Sequence, residues 1–291
     1  MLMQRVLTAI ILLACLILLS VFSSPFVFAM LTAILTLLAG FEWTRFIAVR
    51  TYWARIMYLL SIAILLAGAS IFLSVIPTAE SLYASRVVTI MFLACIFWVM
   101  ALYLMIGYPA NSHLWNEQKY IALMGVFVLV PTWCGIVQLK YIDRTGVLFL
   151  LLVATVSIAD IGAYFVGRTW GQSRLAPMLS PGKSWAGFWG GIFSSVSFIA
   201  VAMLLANGRK IELDTLRAML VITGVVLIAA SSVAGDLFES MLKRNRQLKD
   251  SGNILPGHGG ILDRIDSLTA ATPVAVLWMT LLIEVGREVP V

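Results

Sequence analysis

The stretch Val87–Ile106, VVTIMFLACIFWVMALYLMI, runs for twenty residues without a charged side chain. The hydrocarbon core of a bilayer takes about 20 residues of helix to cross, so this segment reads as a membrane span. The same criterion picks out Val6–Phe22, Phe26–Trp43, Ile56–Ile76, Tyr120–Leu139, Val147–Val166, Trp185–Leu205, Ala218–Leu237 and Ser267–Val285. The expectation is an all-α, polytopic integral membrane protein with about nine transmembrane helices. Composition agrees. Of 291 residues, 61% are hydrophobic and 12% charged, and the mean hydropathy is +1.00, whereas an ordinary soluble domain carries about 25% charge. A soluble enzyme, a disordered chain and a disulfide scaffold are excluded.

Finer features fit that frame. Pro131 and Pro273 fall inside spans, where neighbouring helices can satisfy the freed carbonyls. Arg5 followed by an apolar run, with Leu13-Ala14-Cys15, has the outline of a signal peptide. A second span follows directly after Ser23-Ser24-Pro25, so the first is expected to be a retained anchor. Cys15, Cys95 and Cys134 lie far apart in apolar runs and read as buried small hydrophobes. Trp43, Trp53, Tyr58, Trp115 and Tyr120 stand near span ends, as interfacial aromatics do. With the N-terminus inside, thirteen of the twenty Lys and Arg residues fall on the inner side and seven on the outer, Lys140, Arg209 and Lys210 among the latter. That bias favours N-inside, and the net charge of +6 reads as basic inner loops against anionic headgroups, not as nucleic-acid binding. Residues 1–140 carry few charges and read as scaffold; residues 141–291 should hold the chemistry, within one integrated membrane domain.

Three polar segments interrupt the second half, all on the inner side. Asp160 lies in Ala159-Asp160-Ile161-Gly162-Ala163-Tyr164; an acid in an apolar helix is costly and is usually kept for a cavity, a partner or an ion. Ser180-Pro181-Gly182-Lys183-Ser184-Trp185 contains Gly-Lys-Ser, but the glycine that a P-loop needs five residues earlier is Pro177. It offers a phosphate contact at most, through Lys183, with Ser184 capping the next helix. The third segment runs from Asp236 to Asp266 and holds five acids and five bases, the latter being Lys243, Arg244, Arg246, Lys249 and Arg264. Asp236 and Glu239 are three apart, as are Asp263 and Asp266, so on continuing helices each pair shares a face. Such carboxylates repel unless a cation or basic group sits between them. Oxygen ligands without thiolate suit Mg²⁺, and Gly257-His258-Gly259-Gly260 offers flexible N–H groups for anions at a helix start. Acid for metal, base for phosphate and glycine for close approach are the parts of phosphoryl or nucleotidyl transfer.

Ser240-x-Leu242-Lys243-Arg244, then Lys249-Asp250, then Pro256-x-His258-Gly259-Gly260-Ile261-x-Asp263-Arg264-Ile265-Asp266 resembles the signature of the bacterial phosphatidate cytidylyltransferases (CDP-diglyceride synthases) over twenty-seven residues. Asp160-x-Gly162-Ala163-Tyr164-x-x-Gly167 and Ser180 to Trp185 resemble that family's upstream motifs. The resemblance implies CMP transfer from CTP to phosphatidic acid, giving CDP-diacylglycerol and pyrophosphate, with Mg²⁺ as cofactor, alone or with a second cation. It also implies an inner-membrane homodimer with a cytoplasm-facing polar cavity. Metal ligation and catalysis would fall to Asp236, Asp263 and Asp266, with Lys249 and Arg264 also catalytic. Asp160, Lys183, Ser184, Ser240, Lys243, Arg244, His258, Gly259 and Gly260 would bind substrate.

Other readings weigh against these residues. A cation-coupled transporter would gather its charge at mid-bilayer and at broken helices, not in inner loops. An alcohol phosphatidyltransferase would carry Asp-Gly-x-x-Ala-Arg, but Asp160 is followed by Ile161. A CTP-dependent lipid-alcohol kinase is the nearer alternative.

Overall fold

The computed structural model describes residues 2–207, 215–255 and 257–288. Arg209, Lys210 and Pro256, which entered the sequence reading, lie outside them. The described chain forms helices α1 (Leu2–Phe22), α2 (Pro25–Ile47), α3 (Tyr52–Leu73), α4 (Ala84–Ile106), α5 (Gln118–Ile142), α6 (Val147–Trp170), α7 (Trp185–Asn207), α8 (Thr215–Asn245) and α9 (Leu262–Glu288). Eight of them are long and apolar enough to cross a membrane, and Val6–Phe22 forms a shorter apolar helix ahead of them. Local chemistry sets the boundaries. Ser24 caps α2 by accepting from Val27 N–H at 3.3 Å, with Pro25 just inside, and Thr51 caps α3 through Ala54 N–H.

The outer faces carry large apolar side chains, with Ile106 84% and Ile71 80% exposed, an arrangement that suits lipid and not water. The interior also differs from the sequence reading in places. Trp43 and Trp115 are buried rather than interfacial, because each indole has an internal acceptor: Ile121 O for Trp43 and Asn111 Oδ1 for Trp115. Of the cysteines only Cys134 is buried; Cys15 is exposed on α1 and Cys95 intermediate, since an apolar helix face turned to lipid has no need to hide a thiol. Lys140, counted among the outer basic residues, is fully buried and donates to Ser20 O at 2.5 Å and Arg144 O at 2.6 Å.

Two departures matter for function. The helices carry more of the charge than the predicted spans suggest: α8 continues past its apolar stretch to Asn245, and α9 starts at Leu262, before its own, so Asp236 with Glu239 and Asp263 with Asp266 lie on continuing helices as expected. The Glu239–Lys243 pair spans one turn of α8 at 2.7 Å and supports that extension. Between α6 and α7 the chain forms an antiparallel hairpin, β1 (Arg174–Ala176) and β2 (Ser180–Ser184), pairing Arg174 with Ser184 and Ala176 with Ser180. Hairpin, α6 and α7 are held in register by close packing. A Cβ on Gly187 would lie 2.8 Å from Ala163 O, and one on Gly191 2.7 Å from Ala159 O. The spacing of small residues thus lets the two backbones meet and fixes Lys183 opposite Asp160.

Candidate active site

The ends of α6, α8 and α9, with β2 and the start of α7, enclose a cavity of about 550 Å³. Seven of the residues singled out by sequence line it: Asp160, Lys183, Ser184, Asp236, Asp263, Arg264 and Asp266. Carboxylates from three helices therefore face one space, and Asp236 and Asp263 share it although 27 positions separate them. The α8–α9 contact that achieves this needs Gly235, where a Cβ would collide with Asp266 O.

Charges inside the site are partly paired. Lys183 Nζ lies 2.7 Å from Asp236 Oδ2, a pair partly open to the cavity. Lys243 Nζ bridges Glu239 Oε2 at 2.7 Å and Asp263 Oδ1 at 2.8 Å, and all three side chains are largely buried. Lysine thus meets the repulsion anticipated at Asp236, Glu239 and Asp263, while Asp266 has no ion-pair partner among the described residues. Ser240 Oγ donates to Asp236 Oδ1 at 3.3 Å. Asp263 Oδ2 accepts three bonds, from Ser251 N–H (3.0 Å), Ser251 Oγ (2.8 Å) and Gly260 N–H (2.9 Å). Glu239 stands beside Asp266, which lies across the α8–α9 contact.

The remaining predicted residues surround the cavity without lining it. Ser240 and Lys243 bond to the carboxylates just named. Arg244 Nε reaches Leu179 O at 3.3 Å and ties α8 to the hairpin, while Lys249 is exposed on the following turn. Gly259, at φ +79°, turns the chain, and Gly260 gives its N–H to Asp263, so that N–H is not free for an anion. His258 accepts two bonds from Arg264 through its carbonyl (3.1 and 2.7 Å), leaving its Nδ1 buried without a partner. Ser184 caps α7 as expected, accepting from Gly187 N–H at 3.1 Å.

Sequence reasoning missed two residues from α2. Glu42, 1% exposed, accepts from Leu262 N–H at 2.8 Å, and Arg45 donates to Ser251 O at 2.7 Å. Arg246, just past α8, donates to Phe46 O at 2.6 Å; burial lowers its guanidinium pKa below the ordinary value.

Among the described residues, no group of three or more His, Cys, Asp or Glu side chains could hold a metal ion unaided. The cavity's donors are nonetheless all oxygen, and Mg²⁺ characteristically takes one or two carboxylates and completes its shell with water and substrate phosphates. The donor set fits that ion.

A second cavity, apolar and about 490 Å³, lies against the first between α4, the hairpin, α7 and α8. Leu175, Phe188 and Val233 line both. A polar chamber thus shares a wall with an apolar groove.

Comparison with known proteins agrees with this geometry. Residues 3–282 match the cytidylyltransferase family. A phosphatidate cytidylyltransferase of Pseudomonas aeruginosa is 36% identical over 280 residues, covering 96% of this chain and 97% of that protein. One from Haemophilus influenzae is 36% identical over 285 residues, covering 94% and 96%. One from Bacillus subtilis is 34% identical over 164 residues, covering 56% and 58%. Matched along nearly its whole length, and with its motif carboxylates gathered in one cavity, the chain belongs to the cytidylyltransferase family, in its phosphatidate cytidylyltransferase (CDP-diglyceride synthase) group.

Proposed function

We propose that this protein transfers CMP from CTP to phosphatidic acid, forming CDP-diacylglycerol and releasing pyrophosphate. A phosphatidate oxygen bonds to the α-phosphorus of CTP, and the bond from that phosphorus to the bridging oxygen of the β-phosphate breaks. The observation that carries this reading is the shared wall: Leu175, Phe188 and Val233 separate a cavity rich in acid and lysine from an apolar groove. A reaction joining a triphosphate to a lipid needs both environments side by side.

Phosphatidate is already anionic, so its attack requires charge neutralisation and alignment more than proton removal. Lys183 and Arg264 line the chamber and bind phosphate oxygens, Lys183 exchanging Asp236 for them. Lys243 keeps Asp263 and Glu239 in place. Asp236, Asp263 and Asp266 would hold Mg²⁺, alone or with a second cation, which would supply charge neutralisation for the triphosphate. Asp160 lines the opposite wall. Acyl chains lie in the groove between α4 and the hairpin. The chamber faces the cytoplasm, source of CTP, with the N-terminus on the same side, in a bacterial inner membrane and in a homodimer. Residues 1–140 form the scaffold and residues 141–291 carry the chemistry.

The test is radiolabelled CTP with phosphatidic acid in detergent, followed by extraction of lipid-soluble nucleotide. Wild type forms it in the presence of Mg²⁺; Asp236→Asn folds and does not. Full activity in Asp236→Asn refutes its assignment, and no product from wild type refutes the reaction.

A further inference from the structure

Glu42 is a buried carboxylate that the reaction as described does not use. It lies in α2, in the half of the chain that reads as scaffold, yet its contacts fall in the signature more than 200 positions away. Oε2 accepts from Leu262 N–H, the first residue of α9, at 2.8 Å, and is 3.5 Å from Ser251 Oγ. One turn on, Arg45 Nη1 donates to Ser251 O at 2.7 Å and to Asp250 O at 3.3 Å. Ser251 hands the connection on, giving both its N–H and its hydroxyl to Asp263 Oδ2. Gly260 N–H reaches the same oxygen. Helix α2 thus grips the 250–252 segment and the start of α9 together, and both grips end at one cavity-lining carboxylate.

Shape is matched as closely as hydrogen bonding. A Cβ on Gly260 would lie 2.5 Å from each Glu42 oxygen, and one on Gly252 would collide with Oε1. Glycine at these two positions is what lets the carboxylate sit against the turn. Glu42 also stands at the N-terminus of α9, where a negative charge meets the positive end of the helix dipole. Its Oε1 is buried with no hydrogen-bond partner. A carboxylate kept under that desolvation cost has a task other than its own solvation.

We propose that Glu42 is a positioning residue for cytidylyl transfer: it fixes the start of α9 through Leu262 N–H and, packed against Ser251 and Gly260, keeps their donors on Asp263 and so holds that carboxylate in its orientation toward the cavity. The proposal rests on the cavity being the transfer site. Glu42 does not line the chamber, so its effect falls on turnover and not on nucleotide capture.

The experiment compares wild type with Glu42→Gln and Glu42→Asp in purified, detergent-solubilised protein. Glu42→Gln keeps the shape but loses the charge. Its kcat falls about 10–100-fold, the range for removing a group that orients a site carboxylate, while KM for CTP stays within about threefold. Glu42→Asp, which keeps the charge one methylene short, recovers part of kcat. In substrate-free protein, amide hydrogen exchange quickens in residues 250–263 of Glu42→Gln and stays unchanged in the middle of α4. Unchanged kcat in Glu42→Gln overturns the proposal, as does faster exchange spread evenly over the bundle. Should Glu42→Gln fail to fold, Ser251→Ala removes the hydroxyl that packs on Glu42 and donates to Asp263 while leaving α2 unchanged, and unchanged kcat there overturns it equally. If wild type makes no product from CTP and phosphatidic acid, the reaction is wrong, and the exchange pattern alone decides whether Glu42 orders this turn.

Discussion

Replacing Lys243 by Met tests the electrostatic centre of the site. The ammonium bridges Glu239 at 2.7 Å and Asp263 at 2.8 Å, with side-chain exposures of 13%, 4% and 9% for Lys243, Glu239 and Asp263. Methionine keeps the stem's bulk and removes the charge. Taking one partner from a buried ion pair costs about 3–5 kcal/mol, because the other charge is left uncompensated. At roughly 2–4 °C per kcal/mol for a chain of this size, the melting midpoint should fall on the order of 10 °C. The loss is unevenly shared. Asp263 keeps three donors, from Ser251 and Gly260, whereas Glu239 Oε1 has none and its neighbour is the acid Asp266. Lys243→Met/Glu239→Gln should therefore recover at least about half of the lost stability, since replacing both partners of a buried pair is often close to neutral. Lys243→Met/Asp263→Asn should recover little, because it leaves the buried Glu239 charge without its counter-ion and neutralises the partner that already has three donors. Intrinsic fluorescence of the nine tryptophans reports unfolding in detergent. An unchanged midpoint in the single variant, or equal recovery in the two double variants, refutes the reasoning.

Three further perturbations probe other parts of the structure. Gly191→Leu puts a side chain where a Cβ alone would lie 2.7 Å from Ala159 O; it should lower the yield of folded protein, whereas Gly68→Ala, with nothing within 4 Å, should leave yield and melting point intact. Val233→Trp adds bulk to the wall shared by the two cavities and should raise KM for phosphatidic acid with little change in KM for CTP, as steady-state kinetics with each substrate varied will show. Asp143 lies in the α5–α6 turn, where burial pushes its pKa up but bonds from Thr145 and Leu148 outweigh that and hold it below the ordinary value. A lowered folded-state pKa gives stability that is full above the unfolded value and is lost as pH falls through the folded one. The melting-point gap between wild type and Asp143→Ala should therefore close on acidification below about pH 4; a gap that persists there sinks the assignment.

The membrane fold is legible because apolar runs of about 20 residues have few other uses in water, and all nine spans correspond to helices. Their ends are less legible for a physical reason. Hydropathy marks where lipid stops, not where helix stops, so the predicted span ends at Leu237 while α8 runs on to Asn245. The hairpin left no periodic trace, its strands being three and five residues long. Within the site, charge and glycine spacing disclosed which residues matter, but not which lysine would meet which acid, since such pairing depends on helix packing. Glu42 shows the limit most plainly. It is the one acid inside a predicted span before Lys140, the same anomaly that drew attention to Asp160. Its partners, however, lie 209 and 220 positions away, and no local pattern in α2 announces them.

The pairing of acids with lysines also bears on how a charged site persists at a membrane boundary. Four aspartates left unpaired in a half-buried chamber would repel one another and drag water into the bundle. Lys183 and Lys243 relieve part of that repulsion before any substrate arrives, by pairing with Asp236 and Asp263. The two lysines differ in how easily they can let go. Lys183 sits on β2 beside Gly182, with its side chain 24% exposed and a single carboxylate partner. Lys243 is 13% exposed and holds two carboxylates, from α8 and from α9. An arriving triphosphate would find the first pair cheaper to separate, because only one ion pair breaks and the freed Asp236 still has Ser240 Oγ as a donor. Lys183→Met should consequently weaken CTP binding while leaving the fold intact, the reverse of the Lys243→Met outcome, and a melting-point loss of equal size in both variants would show that the two pairs serve the same purpose.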